Sequence, residues 1–241
     1  MCGRFVLTTP AEALRQAFGF IEQPNLAPRY NIAPTQDVPV IRQRKDPAGQ
    51  RTLQMLRWGL VPSWADSLAG GAKMINARAE TVMEKSAFRN AFARRRCLVP
   101  VDGFYEWRPG DKAKQPYFIT ARAGGPLAFA GLWERWSASP PGSGLLPADG
   151  DAARRPYIDS FTIVTTTANA TLATLHPRMP VILAPADHGR WLDPASELPA
   201  LLGLLKPAPD DLLRHAAVDR RVNSVRNDDA DLLREQAAPA L

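Results

Sequence analysis

From Val38 to Thr166 the chain is a succession of short apolar and β-branched runs broken by turn signals, and that pattern confines it to a sheet-dominated fold. Val38–Arg42 and Thr52–Trp58 read as strands divided by Asp46-Pro47-Ala48-Gly49. Cys97–Val101, Tyr105–Arg108, Pro116–Arg122, Leu127–Leu132 and Ile158–Thr166 continue the series, and a late strand is predicted near 212–218. Helices are few and short. Thr9-Pro10-Ala11-Glu12 has the spacing of a capping box with Pro at the first helical position, which predicts a helix over 10–18 ended by Gly19. A second helix is predicted over Ser86–Arg95, with Phe88 and Phe92 on one face and Arg94, Arg95 and Arg96 at its C-terminal end. Shorter helices are expected near 187–192 and 197–205. The stretch from Pro24 to Pro34 reads as loop, 137–156 as an exposed flexible excursion between two strands, and the residues from Gln236 onward as a frayed tail. The expected fold class is α+β: one domain over residues 1–235, built on a curved, mostly antiparallel, β-barrel-like sheet with peripheral helices.

Several function classes drop out on composition. Nothing approaches 18 consecutive apolar residues, and no basic segment precedes an apolar one at the start, so neither a membrane span nor a secretory signal is expected. Two cysteines give no disulfide framework and too few metal ligands. Cys97 lies in an apolar strand and is read as inert packing; a reducing, cytoplasmic setting fits both thiols. The charge is uneven: residues 1–110 hold 16 Lys+Arg against 9 Asp+Glu, a net of +7, whereas 111–241 hold 14 against 15, a net of −1. A basic half with interspersed Trp permits single-stranded nucleic acid as a partner, since phosphates meet cations and bases stack on rings.

The residue that carries distinctive chemistry is Cys2. A side chain this small lets the initiator Met1 be removed, leaving a free α-amine and a thiol on one residue. Such a 1,2-aminothiol condenses with an aldehyde to an imine, and the thiol then closes a five-membered thiazolidine on the same carbon. An internal Cys cannot do this, because its nitrogen is an amide. On position alone, the competing reading is a small residue entering a first strand.

Four further segments stand out: Arg29-Tyr30-Asn31-Ile32-Ala33-Pro34, Met74-Ile75-Asn76-Ala77-Arg78-Ala79-Glu80-Thr81, Gly103-Phe104-Tyr105-Glu106-Trp107 and Thr174-Leu175-His176-Pro177-Arg178-Met179-Pro180. With Cys2-Gly3-Arg4-Phe5, Trp58–Trp64, Phe161–Thr165 and Val222–Asn227, in this order, they resemble the SRAP family of SOS-response-associated peptidase or abasic-site processing proteins. The resemblance covers nearly the whole chain outside 137–156 and the tail. It implies a protein that binds abasic sites in single-stranded DNA and links itself to the sugar aldehyde. It places catalytic positions on Cys2, Asn76, Glu106 and His176, and DNA-contacting positions on Arg4, Pro34, Asn76, Arg78, Trp107, Thr165 and Arg178, with Trp64 beside them. No cofactor or metal is implied. The expected protein is a monomer in the DNA damage response, cytoplasmic and, in a bacterium, nucleoid-associated.

These residue types suit the chemistry. With an α-amine pKa of about 8, roughly a tenth of the amine is neutral at pH 7, and a thiol at about 8.5 supplies a few per cent thiolate. Partial burial or a cation such as Arg4 is expected to raise the neutral-amine fraction, and a neighbour such as Arg4 the thiolate fraction. Glu106 is the candidate general acid/base, which requires an upward shift from burial beside Trp107. His176 can protonate a departing hydroxyl or hold the sugar oxygen, and Asn76 can orient the sugar or the amine. Gly3 would let the DNA backbone approach. Arg4, Arg78 and Arg178 suit phosphates, while Trp64 and Trp107 can stack on bases; Trp58 is assigned to the core. Two rival functions share these residues. One is a cysteine peptidase with Cys2 as nucleophile, His176 as base and Asn76 as orienter, removal of Met1 being its minimal form. The other is a non-catalytic single-stranded DNA-binding module.

Overall fold

In the computed structural model, which describes residues 2–44, 49–108, 115–137 and 157–237, the predicted strand runs form strands in the expected places. The N-terminal third gives β1 (Phe5–Leu7), α1 (Ala11–Phe18), β2 (Arg29–Ile32), β3 (Asp37–Gln43), β4 (Arg51–Trp58) and β5 (Asn76–Arg78). Then come α2 (Ser86–Arg94), β6 (Arg96–Val101), β7 (Gly103–Arg108), β8 (Gln115–Ala121), β9 (Leu127–Ser137) and β10 (Tyr157–Thr167). The remainder holds α3 (Ala170–Ala173), β11 (Arg178–Pro180), α4 (His188–Leu192), α5 (Leu198–Leu202) and β12 (Leu213–Ala217). The excursion expected over 137–156 falls, apart from Ser137 in β9, outside the described residues, as do 238–241 of the expected tail. Gln236 is not frayed: its amide donates to Ala217 O at 2.8 Å.

Two sheets form. One is antiparallel in the order β12-β8-β7-β1-β2. In the other, β10 pairs β4, β4 pairs β3, β3 pairs β6, β6 pairs β9 and β9 returns to β10, so five strands close into a barrel. The β4–β10 pairing is parallel and the rest of the ring antiparallel. Strand β10 runs on past the ring: β5 lies parallel along one edge, with Asn76 opposite Ile163, and β11 antiparallel along the other, with Arg178 opposite Thr167.

The sheets are joined by aromatic packing. Phe5 of β1 lies 5.0 Å from Trp58 of β4, which stacks at 6.4 Å on Phe161 of β10, and Phe104 meets Phe129 edge-on at 5.4 Å. All five rings are fully buried, so each removes a large apolar area from water. Trp58 satisfies its indole N–H on Ile75 O at 3.0 Å, consistent with its core assignment. Cys97 is fully buried beneath Trp191, whose indole donates to its carbonyl.

Local rules were followed except where tertiary partners outbid them. Helix α1 ends at Gly19 in the left-handed conformation, φ 69°. It has no capping box: the Thr9 hydroxyl donates instead to Asp102, which also takes the Thr8 and Thr9 amides. Helix α2 is closed by Arg96, which donates to Phe92 O and Ala93 O at 2.7 Å each and so satisfies carbonyls the helix leaves open. The expected loop 24–34 contains a strand, β2, because Arg29 and Ile32 find partners on β1. Gly59 (φ 115°) and Gly71 pass so close that a Cβ on Gly59 would lie 2.5 Å from Gly71 O. That contact folds the loop carrying Trp64 back beside β5.

Candidate functional site

The site is assembled from both sheets. On the open sheet, β1 pairs β7 with Phe5 opposite Phe104, and the ladder continues past β1 where Tyr105 N–H donates to Arg4 O at 3.0 Å. One step further brings Gly3 level with Glu106. Alternation then turns Phe104 and Glu106 toward the barrel, and Tyr105 and Trp107 toward the outer face. On the barrel side, β10 carries Asn76 on one flank and the turn before β11, with His176, on the other.

The amide of Asn76 binds the two halves together, its Nδ2 donating to Cys2 O at 2.9 Å. Its Oδ1 is buried and has no hydrogen-bond partner among the described residues, an acceptor left open at the site. Cys2 is fully buried, its Sγ 4.0 Å from Arg4 O. Burial, and then the charge of Glu106, push its thiol well above the ordinary range. The expectation that Arg4 would favour the thiolate is therefore corrected. The Arg4 guanidinium is spent on Asn31 Oδ1 (3.2 Å) and Val222 O (3.0 Å).

Glu106 is only 4% exposed. Burial raises its pKa, and the positive field of His176 offsets part of that rise. The His176 ring is held by the backbone of Arg178, with Nδ1 3.0 Å from Arg178 N and 3.1 Å from Arg178 O. Either tautomer is thereby oriented by the same residue.

The expected DNA-contacting residues divide into committed and uncommitted groups. Arg178 forms a two-point ion pair with Glu80 and also donates to Thr165 O at 2.7 Å. Thr165 is fully buried, its hydroxyl between Ala77 O and Arg178. Arg78 is exposed, with no side-chain hydrogen bond or ion pair among the described residues. Trp64 is 64% exposed. Trp107 is half-buried on the outer face, its indole N–H bonded to Asn223 Oδ1 at 2.7 Å. Pro34 is half-buried in the turn after β2, next to Thr35 at φ 71°, a strained conformation for a β-branched residue. Thr35 is held there by Trp58 O and the Arg57 guanidinium.

Sequence reasoning missed three residues that hold the site in shape: Asn31, Glu80 and Asn223. Asn31 is fully buried and its Nδ2 reaches Val222 O, Ser224 O and Asn227 O within 3.1 Å. Asn31 and Glu80 lie inside segments already singled out, but no local spacing marks their partners. Among the described residues no group of three or more metal-ligating side chains converges, and no helix is long and apolar enough to cross a membrane.

A five-stranded barrel beside an open sheet, with Cys2, a buried carboxyl, an amide and an imidazole brought together from the two, defines a class of α+β protein. Residues 1–225 match the family model described as SOS response associated peptidase (SRAP), and the chain belongs to that family. It is 38% identical over 238 residues to the abasic site processing protein YoqW of Bacillus subtilis, covering 97% of this chain and 99% of that one. It is 30% identical over 274 residues to the abasic site processing protein HMCES of Gallus gallus, covering 97% of this chain and 77% of that protein. Its fold is shared by a crystal structure of a Bacteroides thetaiotaomicron protein, with TM-score 0.81, 25% identity, and coverage of 98% of this chain and 100% of the other.

Proposed function

We propose that this protein, once Met1 is removed, binds abasic sites in single-stranded DNA and captures the sugar aldehyde as a thiazolidine through Cys2. The observation that carries the reading is the β1–β7 ladder, which delivers the second residue beside a buried Glu106 whose pKa burial raises. The names of relatives matched over nearly the full chain support abasic sites as the target.

The chemistry balances on these residues. The α-amine of Cys2 attacks C1′ of the ring-opened sugar to give a carbinolamine. Glu106, whose protonated form burial favours, gives its proton to the hydroxyl, which leaves as water, and an iminium remains. Sγ then attacks the iminium carbon while the thiol proton passes to the Glu106 carboxylate, restoring the acid. The net change is one aldehyde, one amine and one thiol converted to a thiazolidine and one water. Asn76 holds the Cys2 carbonyl, and so the amine, in place. His176 is placed to hold the sugar oxygen, its ring oriented by the Arg178 backbone.

The peptidase alternative needs a ready thiolate, and burial together with Glu106 pushes the Cys2 thiol the other way. An iminium carbon is electrophilic enough to be attacked by a thiol that loses its proton in the same step. Intact mass spectrometry of the untagged protein with abasic and undamaged strands tests the reading. The expected species is the Met1-less protein plus the abasic strand minus one water. Capture by protein that keeps Met1, or no capture at all, would sink it.

A further inference from the structure

The outer face of the open sheet carries a second, smaller core of Val6, Tyr105, Val218, Val222 and Leu232, with Trp107 packed against it. The segment closing over this face is fixed with unusual density for an exposed stretch. Asn31 binds three of its carbonyls, Arg4 binds Val222 O, and Trp107 donates to Asn223. At its far end Asp228 pairs with Arg29 at 2.6 Å and accepts the Asn31 amide at 3.0 Å. Within it, Asn227 N–H donates to Ser224 O at 3.1 Å, closing a turn with Val225 and Arg226 at the tip.

The tip points outward from this rigid base. Val225 is 47% exposed, and Arg226 is exposed with no side-chain hydrogen bond or ion pair among the described residues. Ordering a turn costs conformational entropy, and here the ordered product is an apolar and a cationic side chain held in water, two and three residues on from the Asn223 that binds the Trp107 indole. Trp, Val and Arg on one edge are the elements of a single-strand platform: a face for a base, a wall for the next sugar, a cation for the phosphate. Arg4 and Arg178 are already committed to protein partners, which leaves Arg226, like Arg78, as a cation open to a phosphate.

We propose that the Asn223–Arg226 turn is part of the nucleic-acid surface. Asn223 fixes the plane of the Trp107 indole, Arg226 takes a backbone phosphate, and Val225 packs on the adjoining nucleotide. This rests on the reading of the site as one for single-stranded DNA.

The test is equilibrium binding of an undamaged fluorescent single strand against salt, for wild type, Arg226→Glu, Arg226→Lys and Asn223→Ala. Loss of one phosphate contact lowers the salt slope by about 0.7, which makes the affinity lost between roughly 50 and 200 mM salt about 2.6-fold smaller. Arg226→Glu is expected to bind more weakly with that reduced slope, Arg226→Lys to keep the wild-type slope, and Asn223→Ala to weaken binding without changing it. If wild type binds and Arg226→Glu matches it in affinity and slope, this inference fails while the parent reading stands. If wild type neither binds the strand nor captures an abasic one, both fail.

Discussion

Arg178 and Glu80 face each other in a two-point ion pair, Nη1 to Oε1 and Nη2 to Oε2 at 3.0 Å each. With its bonds to Thr165, the Arg178 guanidinium has most of its donors occupied, and its backbone orients His176. Glu80→Gln should separate these two roles. Freed of its counter-charge, Arg178 should steepen the salt dependence of single-strand binding, while capture at saturating abasic DNA should keep its rate because the Arg178 backbone still holds His176. The stability change should stay below about 1 kcal/mol, since Glu80 is 47% exposed. An unchanged salt slope would remove Glu80 from the site.

Glu106→Gln should trade activity for stability. Because burial raises the folded-state pKa, the unfolded state ionises first as pH rises above about 4.3, and folding is progressively penalised above that point. The Gln variant should therefore melt higher than wild type at pH 8, with the gain vanishing near pH 4. Its capture of abasic strands should be slow throughout. Thermal melts at the two pH values and a single-turnover time course check both halves.

His188 supplies acid sensitivity of the opposite kind. It is 4% exposed, stacked at 5.5 Å on Phe18, and its pKa is lowered by burial. The unfolded chain binds the proton first, so stability present above about pH 6.5 should fall as pH drops toward the lowered folded value. His188→Gln should flatten that part of the melting curve against pH between about 5 and 7. An identical pH dependence in the variant would refute the assignment.

Asn31→Ala should cost about 1–3 kcal/mol, because it removes a buried amide that binds the carbonyls of Val222, Ser224 and Asn227. Hydrogen exchange at the Asn227 amide, bonded to Ser224 O, should quicken more than exchange in β3 or β6. Protection lost evenly across the chain would mean that Asn31 supports the whole fold and not this segment.

A residue added ahead of Cys2 should abolish stable capture, since the nitrogen becomes an amide, whereas Cys2→Ser should leave an imine trappable by borohydride. Denaturing gels with and without the reductant distinguish the cases. A tagged protein that captures the strand with its tag intact would overturn the aminothiol mechanism.

Much of both sheets was legible because most of their strands are long enough for alternation to register; β3, β4 and β6 to β10 all fall on predicted runs. Strands β5 and β11 have three residues each, too few for any period, and are defined only by the edge of β10 that receives them. β2 hides in a segment punctuated by Pro28, Asn31 and Pro34, where Asn31 works through its side chain on residues nearly two hundred positions away. Site chemistry was legible as residue types in a fixed order. What each arginine is bonded to was not, because an ion pair such as Arg178 with Glu80 leaves no pattern in the chain. Thr9 makes the same point from the other side: its capping-box spacing was intact, yet Asp102 offered a better acceptor.

Cys2 and Glu106 ride on the open sheet, whereas Asn76, His176 and Arg178 ride on the extension of β10. Sliding one sheet past the other by a single residue, about 3.4 Å, would leave each group internally unaltered and yet disarm the protein. Tolerance to change should therefore be lowest not among the reactive groups alone but along the seam of Phe5, Trp58, Phe104 and Phe129, whose interlocked rings keep the two carriers from drifting out of alignment.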